Sequence, residues 1–291
     1  MTIREYEFLV TDATKLLGLE ARDAHVAEKR VRYYAGGSGE AIVLVHGLGG
    51  AAANWVEFVS PLVRRHRLLV VDLPGHGGSD APARGADVAS YAVAVAAVVE
   101  AERAGPAVVA GHSFGGHVAL RLAHLRPDLV RGLLLLAPAG IATTTRALQL
   151  AVALGGIVRP SRLVAPLRER HAHRSGYRRL VFRPWFVADE ERISARATIG
   201  FLAEARSHAD VRSAGRAMVA DDPRLDLEQL ACPALVVWGA RDAQLPLDDA
   251  FEYARRLRAP LRIVADCGHL VIGERPEACL DALDDLLTAC G

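Results

Sequence analysis

Cysteine is scarce: the 291-residue chain holds four, Cys232, Cys267, Cys279 and Cys290, all within the last 60 positions. None is spaced as a CxxC pair, so the sequence writes neither a zinc ribbon nor a dithiol redox motif. Four thiols in a chain this long read as packing residues rather than as a disulfide framework. Long apolar runs are lacking too. The longest, Ala147 to Val158, is interrupted by Gln149 and falls well short of the roughly 20 residues that span a bilayer. The amino-terminal Met-Thr-Ile-Arg-Glu-Tyr-Glu-Phe carries charge where a secretory signal needs an apolar core. A surplus of charge is also missing. With 35 basic and 34 acidic side chains the net charge is +1, so no overall field points to nucleic acid or an anionic membrane. The expectation is a cytoplasmic chain with no membrane span and no nucleic-acid partner.

What is present is apolar: 51% hydrophobic residues against 24% charged, with a mean hydropathy of +0.17. Disorder is excluded, and a chain of this size buries roughly 75% of its unfolded surface in one core. Tyr6, Leu9, Val10, Ala13, Leu16 and Leu17 recur at helical spacing before Gly18, which predicts an amino-terminal helix. Short apolar runs follow. Ala41 to His46, Leu68 to Asp72, Pro106 to Gly111, Leu133 to Leu136, Pro233 to Trp238 and Leu261 to Ala265 read as strands buried on both faces. Between them, Ala52 to Arg64, Val88 to Ala104, Phe114 to Arg126, Leu247 to Arg258 and Pro276 to Ala289 read as helices. Such alternation predicts an α/β fold: a doubly wound, mostly parallel sheet flanked by helices. The rhythm breaks between Leu136 and Pro233, so residues 140–226 are expected to form a helical insertion into a core made of 1–139 and 227–291.

Gly111-His-Ser113-Phe-Gly115 is a GxSxG pentapeptide between a predicted strand and a predicted helix, the setting of a nucleophile elbow. The blander alternative is a glycine-rich turn whose serine merely caps the helix. A hydroxyl needs a base to become a nucleophile. Among the eleven histidines, His269 follows the last predicted strand and so shares the carboxyl edge of the sheet with Ser113. Most of the others are set aside: His171, His173 and His208 fall in the insertion, His66, His117 and His124 within or at the ends of helices, and His112 beside the serine where adjacent side chains diverge. A third group should hold the imidazole in its tautomer. Asp242, just past the strand before that of the histidine, is the candidate; Asp248 and Asp249 are rivals placed where acids favour a helix start. His46-Gly-Leu-Gly-Gly50 follows the first strong strand, and the amides of Leu48 and Phe114 are candidate donors to a developing oxyanion.

Five segments in this order resemble the α/β-hydrolase family over about residues 31–291: His46-Gly-Leu-Gly-Gly50, Asp72-Leu-Pro-Gly-His-Gly-Gly-Ser79, Gly111-His-Ser-Phe-Gly-Gly116, Gly239-Ala-Arg-Asp242, and Cys267-Gly-His269 leading to Glu274-Arg-Pro-Glu277. The resemblance implies a serine hydrolase with Ser113, Asp242 and His269 as its triad and the insertion as the family's variable cap. It gives Asp72, His76 and Ser79 a scaffold role only. Serine at 113 argues against the dehalogenases and epoxide hydrolases of the family, which use aspartate. Gly-Leu-Gly-Gly and Leu270 depart from the proline and tryptophan of its carbon–carbon bond hydrolases. The implied activity is hydrolysis of a carboxylic ester through an acyl-enzyme, on a small-molecule substrate with a carbonyl, without cofactor or metal. A carbon–carbon hydrolase, perhydrolase, thioesterase or acyltransferase on the same triad, or a non-catalytic binding member, stays open. In the insertion, Ala147 to Leu154 is apolar nearly all round. Arg159, Arg162, Arg168, Arg170, Arg174, Arg178, Arg179 and Arg183 follow, opposed only by Glu169: a solvated face, or an entrance that attracts an anionic group.

Overall fold

The computed structural model describes residues 15–142, 167–183, 185–203 and 210–291. Nine strands form one sheet in the order β1-β2-β3-β5-β4-β6-β7-β8-β9. They are β1 Lys15–Leu16, β2 Leu19–Val26, β3 Lys29–Gly36, β4 Ala41–Val45, β5 Arg67–Val71, β6 Ala107–His112, β7 Val130–Leu136, β8 Ala234–Gly239 and β9 Leu261–Val264. From β5 to β9 neighbouring strands are parallel, whereas β1, β2 and β3 add an antiparallel edge.

The amino-terminal helix is not what the described part of that segment forms. Lys15 and Leu16 pair antiparallel with Glu20 and Leu19, and Leu17 and Gly18 turn the chain with φ of 50° and 90°. Gly18 is thus a turn residue rather than a helix stop, and it takes a backbone conformation open to glycine at little cost. The remaining residues of that expected helix lie outside the described residues, as do the apolar stretch Ala147–Leu154, Arg159, Arg162 and the side chain of Arg168.

Every residue of β4 and β6 is buried, so each strand feeds two cores. Val43, Val45 and Val109 face α2 (Val88–Ala101) and α3 (Phe114–Leu125). Ile42, Leu44, Val108 and Ala110 face α1 (Val56–Leu62) and the carboxyl-terminal helix Pro276–Cys290. Alternate side chains thereby bury both faces, as a helix-covered parallel sheet requires. After β4 the chain winds to β5 on one side and then returns to β6 on the other. The carboxyl ends of β4 and β6 therefore meet where the winding reverses, the crevice in which open α/β sheets bind ligands.

Between β7 and β8 the described residues form helices Ser175–Phe182, Ala195–Ala203 and Val211–Ala220 and no strand. This part docks on the loops after the strands. Phe182, Val187, Ile193 and Ala197 pack around Leu270, and the Leu270 amide donates to Phe186 O at 2.9 Å. The buried Glu274 carboxylate accepts from the amides of Asp189 at 2.7 Å and Gly268 at 2.8 Å. Among the described residues no helix is long and apolar enough to cross a membrane.

Candidate active site

Ser113 joins β6 to α3 at φ 53°, ψ −120°, a conformation that L-residues avoid and that persists only where the surroundings enforce it. The Ser113 amide donates to Leu136 O at 3.0 Å, and its carbonyl accepts from the amides of Gly116 at 2.9 Å and Ala139 at 3.0 Å. The flanking glycines make the turn sterically possible. A Cβ on Gly111 would stand 2.3 Å from Gly115 O, and one on Gly115 would stand 2.2 Å from Val45 O. The serine side chain makes no capping hydrogen bond to the helix. The capping alternative is therefore not what the residue does.

The Ser113 hydroxyl instead lies 3.0 Å from His269 Nε2, and His269 Nδ1 lies 2.7 Å from Asp242 Oδ2. Three side chains from the ends of β6, β8 and β9 thus meet in one row of hydrogen bonds. Gly239 is what lets the last two loops touch, because a Cβ there would overlap Gly268 O at 2.2 Å. The other Asp242 oxygen accepts from the amides of Gln244 at 2.8 Å and Leu245 at 2.9 Å. Burial works against the charge of Asp242, but its bonds to His269 and to these two amides hold the carboxyl below its usual range. An ionised acceptor there requires the proton of the neutral imidazole to sit on Nδ1, leaving the Nε2 lone pair facing Ser113. Of the rival acids, Asp249 is buried and accepts from the Ala142 amide at 2.8 Å, which anchors the start of the insertion instead.

The turn His46–Gly50 runs beside the serine, so close that a Cβ on Gly47 would stand 3.1 Å from Ser113 Cβ. Among the described residues the amides of Leu48 and Phe114 have no protein acceptor. Two donors next to the hydroxyl can stabilise negative charge that develops on a bound carbonyl.

His112, set aside in the sequence because it adjoins the serine, does reach the site. Its side chain turns away from Ser113, and its Nε2–H donates to the His269 carbonyl at 2.9 Å. Nothing in residue spacing reveals a contact with a backbone carbonyl from another strand. Burial, with the neighbouring His269, pushes the His112 pKa down from 6.5 to about 3. The unfolded chain therefore binds this proton more readily, so the associated stability is complete above pH 6.5 and is lost as pH falls toward 3. The drop amounts to on the order of 5 kcal/mol for a shift of this size. His112→Gln, which keeps a donor, should flatten that part of the pH–stability curve measured by urea unfolding.

The arginine-rich segment is more balanced than its sequence suggests. Arg179 and Arg183 both pair with the buried Glu190, and Arg178 donates to the carbonyls of Glu190 and Ala172. The opposing charge comes from beyond the run, and these three cations hold the insertion together.

A family model described as the alpha/beta hydrolase family matches residues 42–282. The chain is 30% identical over 272 residues to the dihydrolipoyllysine-residue acetyltransferase component of an acetoin cleaving system from Pseudomonas putida, covering 91% of this chain and 68% of that protein. It is 31% identical over 251 residues to a pimeloyl-[acyl-carrier protein] methyl ester esterase from Aromatoleum aromaticum, covering 84% of this chain and 97% of that one. Among solved structures, a membrane phospholipase A superposes with a TM-score of 0.75 at 25% identity, over 96% of this chain and 89% of that one.

Proposed function

The chain belongs to the alpha/beta hydrolase family, and from that premise we propose that it hydrolyses a carboxylic ester through an acyl-serine intermediate. The observation that carries this reading is the row from Ser113 Oγ through His269 to Asp242, at 3.0 and 2.7 Å. His269 Nε2 takes the hydroxyl proton as Ser113 Oγ adds to the substrate carbonyl. The amides of Leu48 and Phe114 stabilise the oxyanion, and the collapsing intermediate expels the alcohol, to which His269 returns the proton. Water, deprotonated by the same nitrogen, then releases the acid and the free serine.

Residues 140–226 act in this reading as a cap over the crevice. Support comes from the docking of Phe186 to Asp189 on the histidine loop and of Val211 over the glycine turn, where its Cγ2 lies 3.3 Å from the position a Cβ on Gly49 would take. The acyl or alcohol group is then selected by the cap rather than by the sheet.

A second reading, acyl transfer to a thiol, is favoured by the 30% identity to the acetyltransferase component. Both share the acyl-serine and differ in what attacks it. A series of p-nitrophenyl esters of increasing chain length, assayed with and without dihydrolipoamide, separates them. Hydrolysis predicts a stoichiometric burst of p-nitrophenol followed by free acid whatever the thiol concentration. Transfer predicts a thioester in place of the acid. Absence of a burst with every ester, together with no labelling by a fluorophosphonate, would overturn both and leave a binding protein.

A further inference from the structure

We propose that His76, in the segment Asp72–Ser79 that resemblance assigns to scaffold alone, is a positioning residue for the oxyanion-binding turn; this rests on the acyl-serine reading above. The His46–Gly50 turn has two amides pointing to different partners. The Gly49 N–H donates to His76 Nε2 at 3.1 Å, while the Leu48 N–H, next to the Gly47 that abuts Ser113, has no acceptor among the described residues. Gly49 holds φ +73° in a turn that the Gly50 N–H closes on Gly47 O at 3.0 Å. That bond does not use the Gly49 N–H, whose partner is the imidazole nitrogen of His76.

The chemistry of the ring determines how it can serve. His76 Nδ1 lies 3.0 Å from Pro74 O, a carbonyl that can only accept, so the proton sits on Nδ1 and Nε2 offers a lone pair to Gly49. His46 repeats the arrangement in the opposite direction. Its Nδ1–H donates to Gly47 O at 2.8 Å and its Nε2 accepts from the Leu73 amide at 3.0 Å. The two rings stand 5.1 Å apart, and each reaches a backbone amide of the other loop. Asp72 closes the link, accepting from the amides of Ala52 at 2.7 Å and Gly78 at 2.9 Å. A turn held at Gly47, Gly49 and Ala52 cannot rotate the Leu48 N–H away from the developing charge. Preorganisation of this kind lowers the barrier because no dipole has to reorient during the reaction.

The variants His76→Leu, which fills the space without an acceptor, and His76→Gln, whose side-chain oxygen can reach the Gly49 amide, test the proposal. His76→Leu should lower kcat by about 10- to 100-fold, less than outright loss of an oxyanion donor, with KM little changed. His76→Gln should recover most of the loss. The inhibition constant of a trifluoromethyl ketone, which adds to Ser113 as an oxyanion, should rise by the factor by which kcat/KM falls across both variants. Rates are referred to active sites titrated with a fluorophosphonate, so a partly folded preparation does not mimic the effect. Unchanged kcat per titrated site in His76→Leu overturns the positioning role. A fall carried by KM alone with no change in ketone affinity overturns it equally. Either result leaves the acyl-serine reading intact provided the parent enzyme still turns over its ester; a parent that neither labels nor turns over removes that reading instead.

Discussion

Ser113→Ala is expected to lower kcat toward a p-nitrophenyl ester by about 10⁶-fold and to abolish fluorophosphonate labelling, with the folded state unchanged by circular dichroism. The size follows from what the hydroxyl does. Without Oγ no acyl-enzyme forms, and catalysis falls back on the amides of Leu48 and Phe114 acting on a carbonyl attacked directly by water. His269→Ala should cost about as much, because a serine hydroxyl without its base is nearly inert. Removing both should then cost little more than removing either, since the two act as one unit. Labelling separates the unit from a mere pocket. In the proposed mechanism Ser113 should react with the phosphonate only when His269 Nε2, at 3.0 Å, accepts its proton. A His269→Ala variant that still labels at the parent rate would sink the acyl-serine mechanism.

Residues at strand ends were legible in the sequence for a physical reason. Strands β4 and β6 are buried on both faces, so their apolar runs stand out and the next residue marks the carboxyl edge of the sheet. Ser113 follows β6, and Asp242 and His269 lie a few residues past β8 and β9, so locating the strands placed all three side chains. The edge strands gave no such signal. Strand β2 has only Leu19 and Ala24 buried, and Glu20, Arg22 and Asp23 stand between them with a single alanine, so its texture is neither an apolar run nor a strict alternation. The contribution of its Leu16 neighbour comes through a turn at Leu17 and Gly18 that helical spacing mimics.

His76, His112 and Glu274 were illegible as site residues for a different reason. Each acts on backbone groups of another segment: the Gly49 amide, the His269 carbonyl, and the Gly268 and Asp189 amides. Backbone groups are the same in every sequence, so no residue pattern records which of them a side chain will meet. The paired charges of the insertion show the same limit. Glu190 lies seven residues beyond Arg183 in the chain, yet it is the partner of both Arg179 and Arg183.

Asp242→Asn is expected to lower kcat by about 10⁴-fold without loss of the fold, and the geometry says why. One Asp242 oxygen accepts from the amides of Gln244 and Leu245 at 2.8 and 2.9 Å, contacts that only an oxygen can keep. The new side chain must therefore direct its amide oxygen there and present its NH2 to His269 Nδ1. A donor facing Nδ1 forces the imidazole proton onto Nε2, where it points at Ser113 Oγ. The base then has no lone pair for the hydroxyl, and the imidazolium formed during attack loses its carboxylate partner. Shape and volume hardly change, so thermal unfolding near neutral pH should stay close to the parent while kcat collapses and KM does not. Asp249→Asn supplies the contrast, since an amide oxygen can still accept from Ala142 and the residue is bonded away from His269. A larger loss of kcat in Asp249→Asn than in Asp242→Asn would transfer the role of the third group to the helix start and break the row of hydrogen bonds as a mechanism.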